Sequence, residues 1–225
     1  MTGAPPFQAS RIKRARKHIE ELKQLQAEWS ASIKATYPEN GQGFASISIG
    51  PAPEETGAAF GDAIHNLRAS LDLMAVDLAK ANGAEKTSDV YFPFGMDEAT
   101  FETAIKGKRF DKAGEAAVAL IRTFQPYKSG NHALRAIHDL DVEDKHERLL
   151  PDAANVATNT VRVHIDDQGK VTLQNEPGLP GPSASFAFPP GYPFESDEVI
   201  PTLESLLDLT TSVVEAFAKL IKPGA

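Results

Sequence analysis

Gly61–Ala79, GDAIHNLRASLDLMAVDLA, is the stretch whose reading decides the fold. Phe60, Ile64, Leu67, Leu71, Met74 and Leu78 recur at alternating steps of four and three, which marks one apolar face of a helix. Leu73 and Val76 add apolar character beyond that face, so the spacing predicts a helix buried on more than one side. The same segment carries a line that a core helix normally avoids: Asp62, His65, Ala69, Asp72 and Val76, flanked by Asn66 and Arg68. Residues three and four apart are neighbours on a helix, which puts Asp62 within reach of His65 or Asn66, and Arg68 within reach of Asp72. A carboxylate beside a histidine orients the ring and raises its pKa, and an arginine beside a carboxylate keeps it ionised. Buried polar groups need partners in any protein, so a mutually satisfied network that ties helices together is the first expectation.

The bulk properties set limits. The chain has 225 residues, a formal net charge of -8 and no cysteine. Disulfides, thiolate zinc sites and cysteine nucleophiles are thereby excluded. The acidic balance argues against a protein whose whole surface binds nucleic acid or anionic lipid. Met1–Phe7 lacks the charged start and apolar run of a signal peptide, and no apolar stretch is long enough to span a bilayer. A cytoplasmic protein without membrane contact is the expectation.

Working outward, a first helix is expected from about Ser10 to Ala35, with Ile12, Ala15, Ile19, Leu22, Leu25, Trp29 and Ile33 as its apolar stripe. Its first turns hold Arg11, Lys13, Arg14, Arg16 and Lys17, a basic patch on an acidic chain, placed where it opposes the helix dipole. Alternation over Phe44–Ile49 predicts a short strand, and Asn82-Gly83 stops the central helix. Short helices follow over 97–105 and 113–124, and Asn131 caps a further helix reaching about Leu150. Thr160–Ile165 and Lys170–Gln174 read as a hairpin around Asp166–Gly169, Ala184–Phe188 as another strand, and 197–221 as a last amphipathic helix. The expected architecture is α+β and predominantly helical: a helical bundle with a small antiparallel β-sheet from 44–49, 160–174 and 184–188. One domain over 1–225 is expected, with a helical part at 8–150 and the hairpin plus C-terminal helix at 155–222.

The helix after Asn131 is the second polar one. His132, Arg135, His138, Asp139, Asp141, Glu143, Asp144, Lys145, His146, Glu147 and Arg148 crowd it, and Arg135, Asp139, Val142, His146 and Leu149 fall on one line. Packed beside the central helix, Arg135 and His146 would face Asp62, His65 and Asp72.

Gly61–Asp72 resembles the GD-x-x-HNLR-x-x-LD signature of an uncharacterised bacterial and phage family. Gln125-Pro126-Tyr127 is similar to a second element of that family, and Asp144-Lys145-His146 with Arg148 to a third, although Glu147 separates a histidine and arginine that are usually adjacent. The resemblance spans roughly the middle of the chain and implies that the two histidine-bearing helices form one constellation. A more distant similarity is to HEPN-type helical domains, many of them metal-independent ribonucleases with an arginine, four to six intervening residues and then a histidine on one helix. Neither Arg68 nor Arg135 is followed by a histidine at that spacing, and the pair Arg11 and His18 sits in the basic first helix.

Three expectations result. The favoured one is an interaction or structural module, homo-oligomeric, in which a His/Asp/Arg network joins two helices and which takes a small molecule or a protein as partner. A metal-independent phosphoesterase or ribonuclease would use His65 or His146 as acid and base, with Arg68 and Asp72 in the catalytic set; nucleic acid is then a partner. Asp62, Asn66, Arg135 and Lys145 are the candidate ligand-binding residues. A metal-binding bundle would draw on Asp62, His65, His146 and Asp139 or Asp144. No E-x-x-H or H-E-x-x-H pattern supports that reading, so no metal ligand and no cofactor is assigned. Phosphate-binding GxxxxGK[ST], dinucleotide GxGxxG and GxSxG patterns are absent as well.

Overall fold

The structure is a computed structural model that describes residues 6–36, 46–146, 153–157, 161–165, 171–175 and 183–221. Helix α1 (Pro6–Ala31) is followed by β1 (Lys34–Thr36), β2 (Ser46–Ser48) and the long helix α2 (Glu55–Ala81). Then come α3 (Glu98–Gly107), a 3-10 turn (Phe110–Ala113), α4 (Glu115–Phe124) and α5 (His132–His146). Strands β3 (Ala153–Ala157), β4 (Val161–Ile165), β5 (Val171–Asn175) and β6 (Ser183–Ala187) precede the last helix, α6 (Val199–Ala218). The described chain is mostly helical and bundle-like, and none of its helices is long and apolar enough to cross a membrane.

Helix α2 is the axis of the molecule. Ile64, Leu67, Leu71, Met74 and Leu78 are buried along one side, and Ala59, Ala63 and Ala75 are small enough to bring neighbouring helices close. Helices α1, α5 and α6 and the 3-10 turn pack around it. Its end follows the Asn82-Gly83 signal: the Asn82 N–H bonds the Leu78 carbonyl, and Gly83 takes the left-handed φ of 87° that a side chain resists. Helix α1 runs antiparallel to α2. Arg11 near its start bonds Asn66 inside α2, whereas Trp29 near its end donates to the Gly50 carbonyl ahead of α2. Aromatic rings fill the gaps: Trp29 stacks on Phe186 at 5.1 Å, and Phe60 meets Phe188 edge-on at 5.8 Å.

The expected single sheet is corrected to three separate antiparallel pairs, β1 with β2, β3 with β6 and β4 with β5. Two segments differ from the sequence reading. Helix α1 ends at Ala31 rather than Ala35, and the residues beyond it form β1, the partner of β2. Residues 153–157 supply a strand that pairs with β6 and was not anticipated. A physical reason for the small size of the sheets is visible on β6. Its second edge is taken by side chains of α1, with the Ala184 N–H donating to Ser30 Oγ at 3.1 Å and the Phe186 N–H to Gln26 Oε1 at 2.9 Å. Those bonds use up the donors a third strand would need. The hairpin strands read at 160–165 and 170–174 are present as β4 and β5; their turn lies outside the described residues.

Segment Val90–Gly95 runs extended and positions the site below. It is held by bonds from the Tyr91 N–H to the Lys108 carbonyl and from the Gly95 N–H to the Pro126 carbonyl, so the Gln125-Pro126-Tyr127 element anchors it. A side chain at Gly95 would press on the Phe101 backbone, which requires glycine there. Asn131 caps α5 by accepting the Leu134 N–H at 3.0 Å.

The edge contact on β6 is testable. Gln26→Leu keeps the size but strands the Phe186 N–H, and a loss of about 1–2 kcal/mol in urea unfolding is expected. An unchanged midpoint would show that the edge is satisfied without Gln26.

Candidate functional site

Helices α2 and α5 and the Tyr91–Phe94 segment enclose a cleft of about 440 Å³. Arg11, His65, Arg68, Ala69, Asp72, Leu73, Tyr91, Lys108, His138, Asp141 and Val142 line it. That size lies in the range of small-molecule sites, and apolar walls with a few convergent polar groups are the usual composition.

Its rigid wall begins on Asp72. One carboxylate oxygen accepts Arg68 Nη1 at 2.7 Å and the Phe92 backbone N–H at 2.8 Å. The guanidinium of Arg68, which is buried, lies over the Phe94 ring at 4.6 Å from its centroid. Phe94 in turn stacks on His138 of α5, with centroids 5.2 Å apart and planes 17° from parallel. Arg135, one turn earlier on α5 and also buried, holds Asp139 through Nε at 2.9 Å and Nη2 at 2.6 Å. Such charge-assisted bonds are the stronger kind and fix side chains that would otherwise be costly to bury.

More exposed polar groups line the same cleft. His65 places Nδ1 3.0 Å from Asp141 Oδ1, joining the two polar helices. Asp141 is 6% exposed while the imidazole is 50% exposed, so a buried carboxylate orients an accessible ring. With Nδ1 donating to that carboxylate, Nε2 is the nitrogen left for a ligand. Arg11 Nη1 reaches Asn66 Oδ1 at 3.3 Å, and Asn66 Nδ2 donates to the Asp62 carbonyl at 2.7 Å. Lys108 Nζ lies 6.0 Å from the centroid of Tyr91, which is 45% exposed.

His138 is the perturbed group of the site. Its pKa is pushed down to about 4, first by burial and then by the nearby charges of Arg68 and Arg135, against the smaller opposing effect of Asp139 and Asp141. Its Nδ1 is buried and has no hydrogen-bond partner among the described residues. The cleft therefore contains a neutral imidazole at physiological pH.

Of the residues singled out from sequence, His65, Arg68 and Asp72 line the cleft together. Asn66 is buried beside it, and Arg135 is buried but turned to Asp139 on its own helix, not to α2. Asp62 is exposed and contributes its carbonyl, not its carboxylate, to the network. Lys145 and His146 belong to the last turn of α5, and their side chains lie outside the described residues. Of the expected line on α5, Val142 lines the cleft, and His138 and Asp141 line it beside Val142. Sequence reasoning did not single out His138 and Asp141 as site residues, nor Arg11, Tyr91 and Lys108. His138 and Asp141 had a usable signal, a spacing of three that continues the buried line from Leu134. Lys108 and Tyr91 had none, because a loop contact between them carries no periodicity. Among the described residues no group of three or more His, Asp or Glu side chains is arranged to hold a metal ion. No family model, no curated protein and no solved structure matches this chain.

The depressed pKa of His138 gives a pH dependence of defined sign. The folded state favours the neutral ring, so its contribution is present above the ordinary histidine pKa of 6.5 and is lost as pH falls towards about 4. His138→Phe keeps the stack on Phe94 and cannot titrate. Between those two pH values the variant should lose less stability than the native chain in chemical unfolding, and parallel curves would refute the assignment.

Proposed function

We propose that the chain is a binding module that takes an anionic ligand in the cleft between α2 and α5. The observation that carries this reading is the convergence of Arg11 and Lys108 on one ligand-sized cleft in a chain of net charge -8. The two carboxylates in the lining are already engaged, Asp72 by Arg68 and the Phe92 N–H, and Asp141 by His65. Local charge thus favours an anion where the whole molecule does not. Arg11 offers a guanidinium fork and Lys108 a point charge, the two usual devices for carboxylate or phosphate. The Arg68–Asp72 and Arg135–Asp139 pairs form the scaffold that holds these groups apart, which unites the structural and binding roles expected of the polar helices. The resemblance of Gly61–Asp72 to the bacterial and phage family supports treating both helices as one constellation.

One contact favours a second reading. His65 oriented by Asp141 has the arrangement of a general acid or base, and the neighbouring cations would suit a metal-independent phosphoesterase. Turnover of bis(p-nitrophenyl) phosphate in EDTA, abolished by His65→Ala, is the expected outcome on that reading. Inactivity of the native chain on this and on RNA substrates would sink it.

The binding reading is checked by thermal unfolding with pyrophosphate and with citrate. At a hundred times the dissociation constant, a stabilisation of about 2.7 kcal/mol is expected. Lys108→Ala, an exposed change outside the core, should remove most of it. Absence of any shift with either anion, or an equal shift in Lys108→Ala, would overturn the proposal.

A further inference from the structure

The cleft continues onto the basic start of α1. Arg11, Lys13, Arg14, Arg16 and Lys17 precede the first acid of that helix, Glu20. Lys13, Arg14, Arg16 and Lys17 are exposed, and none of them forms an ion pair among the described residues. The later turns of α1 behave differently. His18 meets Glu21 at 3.1 Å, and Lys23 meets Glu20 at 2.8 Å and Glu204 of α6 at 2.7 Å.

Geometry connects this stripe to the cleft. Arg11 belongs to both, through its bond to Asn66 and its place in the lining. Arg14 follows Arg11 on the same side of α1, about 4.5 Å further along the axis. In the other direction, Asn66 and Asp72 are separated by about 9 Å along α2. Asp72 holds the Phe92 N–H, which brings Tyr91 and Lys108 to that end. Arg14, Arg11 and Lys108 therefore form a row of roughly 14 Å that ends at the exposed ring of Tyr91.

Resting on the anion-binding reading of the cleft, we propose that its ligand is a single strand of nucleic acid. Backbone phosphates track the row from Arg14 to Lys108, and an unstacked base lies against Tyr91. A linear series of cations ending on an accessible aromatic ring is the recognition chemistry of single strands, because each base offers a π-face and each linkage one charge. A duplex keeps its bases stacked and leaves Tyr91 without a role. An anionic membrane fits less well, since the apolar face of α1 (Ala15, Ile19, Leu22) is buried in the core and leaves nothing to enter a bilayer.

The test is fluorescence anisotropy with a short labelled single-stranded oligonucleotide on the full chain across a salt series. Log affinity should fall with log salt at a slope of about -2, as for three phosphate contacts. Arg14→Ala should reduce that slope by about 0.7. Tyr91→Ala should weaken binding by roughly fivefold or more and leave the slope unchanged. Asp62→Asn, which removes an exposed carboxylate one turn from Asn66, should tighten it. The proposal is overturned if the oligonucleotide binds no more tightly than pyrophosphate or if both variants bind like the native chain. Equal affinity for a duplex, for inorganic polyphosphate, or for vesicles of phosphatidylcholine and phosphatidylserine would also overturn it. Should pyrophosphate still stabilise the protein through Lys108 while the strand fails, the cleft reading stands and the strand proposal alone is lost. Should neither bind, both are lost.

Discussion

One carboxylate oxygen of Asp72 accepts from two elements, and the cleft depends on that pair of hydrogen bonds. The Arg68 guanidinium comes from the same helix; the Phe92 N–H comes from an extended segment that belongs to no sheet. Besides that bond, Val90–Gly95 is tied by backbone links to Thr87, Lys108 and Pro126. With these ties, Phe92 and Phe94 lie in the core and Arg68 is laid over the Phe94 ring. Phe94 in turn stacks on His138, which links this arrangement on α2 to α5. A charged acceptor suits this role because a charge-assisted bond is about twice as strong as a neutral one. Its cost is moderate, since Asp72 remains partly exposed to water.

This division of labour separates the groups that hold from the groups that are free to act. Arg68 and Arg135 are buried and each is committed to a carboxylate four residues on. Arg11, Lys108 and His65 reach the same cleft with looser ties: a single amide contact, a loop position and one hydrogen bond. A binding site needs both kinds, because preorganised walls limit the entropy lost on binding while exposed polar groups remain open to the ligand.

The helices were legible where burial imposed a period. The apolar steps through Gly61–Ala79, the Asn82-Gly83 stop and the Asn131 cap all have local physical causes and were readable as such. The sheet was not. Which strands pair depends on contacts far apart in sequence, and here the side chains of Ser30 and Gln26 close an edge that alternation alone leaves open. The site was half legible for the same reason. His65, Arg68 and Asp72 share one helix face, whose spacing exposes them as a set. The rotation of α5 about its own axis follows the buried Leu134, Ile137 and Leu140, which brings His138 and Asp141 toward α2, while Arg135 pairs with Asp139 within α5. Lys108 and Tyr91 arrive from a loop, where no period exists to read.

The neutral state of His138 follows from that rotation and bears on what the cleft can recognise. Two guanidiniums and burial make a third positive charge at this point unfavourable. The imidazole thus contributes an uncharged aromatic surface between cations, not another cation. On the proposed anion-binding role, charge in the cleft is matched by Arg11 and Lys108 and not by His138, whose uncharged ring lines the cleft with Phe94 stacked behind it.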